Sequence, residues 1–338
     1  MKRITLIFIF VLAFFAFSVS AQTLFDQGLK QFEAKQYEQA IETFRQVVAQ
    51  QPQNYAAFYN IGLCHYNLER YDKAAEAFQQ SVAIKPDYIQ ALVQLGNALD
   101  YLDRFDEAVA AYQKVIGLDP NNADAYFELG VANYRKKNYS EAAKYFLESI
   151  RIDPQNANSH YRLALCYKGL NQTPNTQSEL EKAVSLGIQN GYAQFELGKI
   201  YNDQNLSDKA AEVLKSAVAL KPDLVDAYME LGNAYYNNKR PGDAIEPYKK
   251  AAELSPTYIT AHIYLADAYL NAKQYANAIP VYKKAISLDE KNAGAQYGLG
   301  LVYFNQGNKA LAQQQYEKVK PLNAELAEKL LDWINKMP

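Results

Sequence analysis

Residues that carry chemistry are scarce in this sequence. Its 338 residues include two cysteines, Cys64 and Cys166, and three histidines, His65, His160 and His262. The histidines lie too far apart to share a metal, and none sits in an HExxH-like arrangement. Cys64 and His65 are neighbours in sequence and so point to different faces of a helix, which argues against a nucleophile–base pair. Glycines fall singly, leaving no glycine-rich phosphate loop. Neither sign of charge dominates: Lys+Arg total 35 and Asp+Glu 37. The absence of any basic block or stripe argues against nucleic acid or an anionic membrane as partner. Beyond the N-terminus no apolar run is long enough to span a bilayer. No catalytic residue, cofactor or metal is expected.

The one long apolar run opens the chain, as MKRITLIFIFVLAFFAFSVSAQ. Lys2 and Arg3 precede a core from Ile4 to Phe17, and Val19-Ser20-Ala21 forms a cleavage site before Gln22. That core is short of the roughly 20 apolar residues a spanning helix needs. The expectation is a cleaved signal peptide over 1–21 and an exported protein, periplasmic or secreted.

What the sequence has in plenty is regularity. Counting from Ala21 in steps of 34, nine units fit without insertion or deletion, starting at 21, 55, 89, 123, 157, 191, 225, 259 and 293. Position 8 is Gly in seven units and Ala at Ala164 and Ala266. Position 20 is Ala in every unit except the fifth, where it is Thr176. Position 24 is aromatic or Leu throughout, and position 32 is Pro in six units. Apolar residues recur at helical spacing twice per unit, broken by a polar turn such as RKKN at 135–138, so each unit reads as a helix–turn–helix pair. Small residues at 8 and 20 let the two helices approach, position 24 fills the space around that contact, and the proline ends the second helix. Cys64 and Cys166 share one repeat position three units apart, too far for a disulfide, so both should be buried free thiols. Pro247 and Pro280 fall inside second helices and should kink rather than break them. Unit five, with Thr176, NQTPNT and no proline, departs furthest from the pattern and is a candidate joint.

The pattern resembles the tetratricopeptide repeat, most clearly in Tyr228-x2-Leu231-Gly232-x2-Tyr235, Ala244-x3-Tyr248 and Pro256. The resemblance implies an all-α fold: a right-handed superhelical solenoid of nine repeats over 22–326, closed by an amphipathic capping helix at 322–336 in which Trp333 packs inward. It further implies that first helices line a concave face and that positions 2, 5, 9, 12 and 13 contact the partner. Carried over, these are Phe25, Leu29, Phe32, Tyr59, Leu63 and Tyr66 as an apolar patch in units one and two. The middle offers Arg135, Lys168 and Lys199 near Phe127, Tyr134, Tyr161 and Phe195. Units seven to nine combine Tyr236, Tyr297 and Phe304 with Asn237, Asn271 and Asn305. The chaperone-tail carboxylate clamp of some family members has only Asn60 in place here, so that ligand is not expected. The expected function is a scaffold that binds a protein or peptide, with a polysaccharide of the envelope as the alternative partner and a self-assembling array as a third possibility.

Overall fold

A computed structural model describes residues 21–337; the expected signal peptide lies outside the described residues. Every regular element among them is a helix. Repeat one pairs α1 (21–33) with α2 (Tyr37–Gln50). Repeat two pairs α3 (Tyr55–Asn67) with α4 (Tyr71–Ile84), and repeat three α5 (Ile89–Tyr101) with α6 (Phe105–Leu118). Repeat four holds α7 (Ala123–Arg135) and α8 (Tyr139–Ile152), and repeat five α9 (Ala157–Gly169) and α10 (Thr173–Ser185). Then follow α11 (Gly191–Asp203) with α12 (Ser207–Leu220), and α13 (Val225–Asn237) with α14 (Pro241–Leu254). Repeats eight and nine are α15 (Ile259–Asn271) with α16 (Tyr275–Leu288), and α17 (Ala293–Asn305) with α18 (Lys309–Val319). The last helix, α19 (Ala324–Asn335), packs on α17 and α18 as a cap. Helices α14 and α16 run on through Pro247 and Pro280.

The chain divides into two compact units, the first ending at Glu179 and the second beginning at Leu180. The boundary falls within α10 of repeat five, the unit whose sequence departs furthest from the pattern.

In six of the seven repeats with glycine at position 8, that glycine faces the large residue at position 24; in repeat nine Gly300 lies against Leu330 of the cap. A Cβ built on Gly28 would lie 2.6 Å from the Phe44 ring; on Gly62, 2.5 Å from Phe78; on Gly130, 2.7 Å from Phe146. No side chain fits such a gap, so glycine is what lets the ring cross from the second helix over the first. Repeat eight shows the exception and its compensation. Position 8 there is Ala266, and the Tyr282 ring lies instead against Gly298 of the next repeat. The position-20 alanines are fully buried, and the Thr176 hydroxyl, also buried, donates to the Gln172 carbonyl at 3.1 Å.

One regularity had no signal in composition. Position 15, where the first helix turns into the second, has positive φ in all nine repeats: Lys35, Glu69, Asp103, Lys137, Asn171, Asn205, Lys239, Lys273 and Gly307. A left-handed residue after a helix terminates it and satisfies orphan carbonyls. Gly307, Asn171 and Asn205 suit this conformation and Asp103 tolerates it; the tertiary contact of the helix pair imposes it on the lysines and Glu69.

Trp333 departs from expectation. It is 44% exposed, while Ala327, Leu330 and Ile334 form the buried stripe of α19. That stripe already occupies the face toward the core, so the indole sits at its margin and covers Phe304, ring centroids 5.4 Å apart.

Candidate functional site

The apolar patch of repeats one and two is built of half-buried side chains that pack within the fold. Phe25 meets Phe44 edge-on at 5.5 Å, and Phe32 meets Tyr37 at 5.5 Å. Tyr59 contacts Phe78 and Tyr88, while Leu29 and Leu63 lie against the same cores. Tyr66 joins Tyr71 and Tyr101, the latter two stacked at 4.4 Å, and Tyr101 is 54% exposed. The same pattern returns in repeat four, where Phe127 packs on Phe146 and Tyr134 on Tyr139. Tyr161 and Phe195 are half-buried, and Lys168 and Lys199 are exposed. Tyr297 and Phe304 pack against the C-terminal core, and Asn305 donates to its own helix at the Leu301 carbonyl, 2.7 Å away.

Arg135 is engaged by an acid. Its guanidinium pairs with Asp100 at 2.9 Å and also reaches the Asp100 carbonyl at 3.1 Å. Beside it, burial pushes the Glu128 carboxyl up to about 7, reinforced by the Asp100 charge and opposed by Arg162 and Arg135. The middle of the candidate face is therefore an acid–base cluster and not a simple cationic strip.

In the second unit, the first helices of repeats six, seven and eight enclose a cleft of about 450 Å³. Its aromatic wall is Tyr236, Tyr248 and Tyr264. Its polar wall is Asn202, Asn233 and Asn237 together with three carboxylates, Asp203, Glu230 and Asp267. These come from positions 6, 9, 12 and 13 of consecutive first helices, plus the core ring at position 24. Asn202 Nδ2 donates to the Glu230 carbonyl at 2.9 Å and to its carboxylate at 2.8 Å. Asn271 Nδ2 donates to the Tyr236 hydroxyl at 2.8 Å, linking position 12 of one repeat to position 13 of the next as Arg135 and Asp100 do. Of the residues predicted from sequence, Tyr236 and Asn237 line this cleft and Asn271 braces it. Asn202 falls at position 12, one of the contact positions the family resemblance implies. Sequence reasoning did not single out Asp203, Glu230, Asn233, Tyr248, Tyr264 and Asp267.

A signal for part of that set exists. The Tyr112 hydroxyl donates to Asn97 Oδ1 at 2.6 Å, Tyr248 donates to Asn233 Oδ1 at 2.8 Å, and Tyr282 donates to Asp267. All three join position 24 to position 9, fifteen residues apart. Where position 24 is Phe, as at Phe44, Phe78 and Phe146, position 9 is Leu29, Leu63 and Val131. A buried phenol needs an acceptor, and a phenyl ring does not. Burial also raises the Asp267 carboxyl above its ordinary range, with the Tyr282 hydroxyl opposing.

The remaining reactive groups are occupied in packing. Cys64 and Cys166 are free, buried thiols pushed up to about 12 by burial. His160 bonds Glu179 at 2.6 Å, and both His160 and His262, at the same repeat position, bond the carbonyl of the preceding repeat's proline. Among the described residues no group of three or more His, Cys, Asp or Glu is placed to hold a metal ion, and no helix is long and apolar enough to cross a membrane.

Family models described as tetratricopeptide repeat match residues 25–89, 93–157 and 195–259, together more than half of the chain. Others of the same description match 145–177 and 293–325, and a TPR repeat model matches 266–307. No curated protein matches. Among solved structures, YrrB, described as a TPR protein with an unusual peptide-binding site, is 25% identical and covers 59% of this chain and 99% of its own, with a TM-score of 0.48. A MamA structure is 25% identical over 50% of this chain and 92% of its own, TM-score 0.44. MamA from Desulfovibrio magneticus RS-1 is 17% identical over 49% and 94%, TM-score 0.47. The repeat register, the glycine-to-ring contacts of repeats one to four and seven, and the family matches agree: the chain belongs to the tetratricopeptide repeat family.

Proposed function

We propose that this protein is an exported, non-catalytic scaffold that holds a segment of a partner polypeptide against the first helices of its repeats, as an adaptor in a bacterial envelope or secretion assembly. The cleft of repeats six to eight carries this reading. It gathers side chains from three consecutive first helices, and it has the volume to admit side chains of a bound chain. Half-buried aromatic rings along the same face add contact area at low entropic cost. Export rests on the charged n-region, short apolar core and Val19-Ser20-Ala21 at the N-terminus.

A photo-crosslinking residue tests the reading in the source cells. Placed at Asn237, at the cleft, it should capture a discrete polypeptide; placed at Glu246, exposed on the second helix of the same repeat, it should not. Capture only from Glu246 would contradict the proposed face. Recovery of this protein from the cytoplasm with residues 1–21 still attached would contradict export.

A polysaccharide of envelope assembly or export is the second reading, favoured by tyrosines beside Asn202, Asn233 and Asn237. A crosslink to glycan and not to protein would select it.

A further inference from the structure

We infer that the cleft of repeats six to eight is a site for a cationic side chain, the lysine or arginine of an extended partner segment, received by tyrosine rings and carboxylates. The inference rests on the groove-binding reading above and specifies the chemistry of what is bound.

The first argument is a census of donors and acceptors in the cleft. The amide donors of Asn202 and the Tyr248 hydroxyl are spent within the wall, on Glu230 and Asn233, and Asn233 Nδ2 faces Glu230 at 3.4 Å. Asp267 uses one oxygen, Oδ1, to accept from Tyr282. Against the donors still open in the wall, the Asn237 amide and the Tyr236 and Tyr264 hydroxyls, it keeps the larger acceptor capacity: the Asp203 carboxylate, the second Asp267 oxygen, the remaining Glu230 lone pairs, and Asn202 Oδ1, which is buried with no hydrogen-bond partner. A carboxylate only accepts, and an ammonium or guanidinium only donates, so these needs match. A sugar hydroxyl, both donor and acceptor, would bring acceptors to a wall that already has an excess of them.

The second argument is a contrast inside the molecule. In repeats three and four the acid at position 12, Asp100, is neutralised by Arg135 at position 13 of the next repeat, and Arg162 lies within electrostatic reach of Glu128. In repeats six to eight position 13 offers Asp203, Asn237 and Asn271 in place of that arginine. No lysine or arginine lines the cleft. Around it, Lys221 pairs with Asp223, Arg240 with Asp243, and Lys249 and Lys250 with Glu246 and Glu253, while Lys209 and Lys215 lie over the Tyr201 and Tyr235 rings. The nearest cation on the first-helix face is Lys199, exposed one turn before Asp203. The third argument is the aromatic wall. Tyr264, 39% exposed, and half-buried Tyr236 line the cleft, and tyrosine rings attract a cation through their quadrupole.

The test uses a random peptide library displayed on phage, selected on the protein purified as its host produces it. The comparison protein carries Asp203→Asn, Glu230→Gln and Asp267→Asn. These substitutions keep the hydrogen-bonding shape and have precedents in the chain: Asn97 and Asn233 at position 9, Gln94 at position 6, and Asn67 at position 13. Circular dichroism confirms that the variant is helical. The expected result is a wild-type pool enriched in Lys and Arg, whose best member loses at least about tenfold in affinity on the triple variant and on replacing its basic residue with norleucine. A pool without basic enrichment, or one bound equally by the variant, overturns the cationic assignment and leaves the groove reading standing. No peptide selected, with binding instead to an immobilised glycan, overturns both.

Discussion

Repeats one and two differ from repeats seven and eight in one core atom, and that atom reaches the surface. The first pair carry Phe44 and Phe78 at position 24, with Leu29 and Leu63 facing them at position 9. The second pair carry Tyr248 and Tyr282, with Asn233 and Asp267 at position 9. Position 9 belongs to the first-helix face where a partner is proposed to bind. A hydroxyl added to a buried ring thus obliges a polar group on that face, and the choice of Phe or Tyr in the core sets whether a repeat offers an apolar or a polar surface. Repeat three, with Tyr112 and Asn97 at 2.6 Å, obeys the same rule in the other unit. Repeat nine shows its limit: Tyr316 is only half-buried, so its hydroxyl is not forced onto Leu301.

The sharpest way to break this comparison is to close the glycine gap. Gly232→Val drives a branched side chain into the Tyr248 ring and should destabilise the second unit by about 1–3 kcal/mol or more, read as a lowered thermal midpoint. Gly117→Val, where nothing lies within 4 Å, should be neutral or slightly stabilising, since valine is the better helix former, and serves as the control. Next comes the acceptor itself. Tyr248→Phe leaves Asn233 Oδ1 without its donor and should cost about 1 kcal/mol by denaturant titration, whereas a polar replacement of Leu63 should gain no such partner.

The pH dependence separates the two acidic clusters. Glu128 is raised to about 7 in the fold, above its unfolded value of about 4.3, so the stability it contributes is present at low pH and lost as pH rises through 7. Glu128→Gln should therefore flatten the fall in thermal midpoint between about pH 5 and 7. An unchanged slope would mean that Asp100, Arg135 and Arg162 compensate the charge fully. The smallest effect concerns the turns. Lys137→Gly relieves a left-handed residue at φ 60 and should stabilise by a few tenths of a kcal/mol to about 1, by the same titration.

Much of the fold was legible because its determinants are local and repeated. The spacing of Gly28, Gly62 and Gly96, the alanines at position 20 and the prolines at position 32 each report one local requirement met in most of the helix pairs. The left-handed turns were hard to see because five of the nine residues there are lysine or glutamate, which do not announce them, and Asn171, Asn205 and Gly307 are a minority signal. Trp333 was misplaced because hydrophobicity alone does not say which side of a short helix the core will take. The cleft was half-visible. Tyr236 and Asn237 followed from the repeat register, but Asp203, Glu230 and Asp267 acquire meaning only when three repeats are brought side by side. Seen singly, each is one acid among many on a solvated helix.

The claim that the core ring dictates the partner-facing residue can be tested by building the polar pair where it does not exist. In repeat two, Phe78→Tyr buries a hydroxyl without an acceptor, and Leu63→Asn gives up an apolar contact; each alone should destabilise by about 1–3 kcal/mol. Together they recreate the pair seen at Tyr112 and Asn97, so a double-mutant cycle by denaturant unfolding should show a favourable coupling of about 1 kcal/mol or more. Strictly additive losses would contradict the account and mean that position 9 is chosen independently of the ring beneath it.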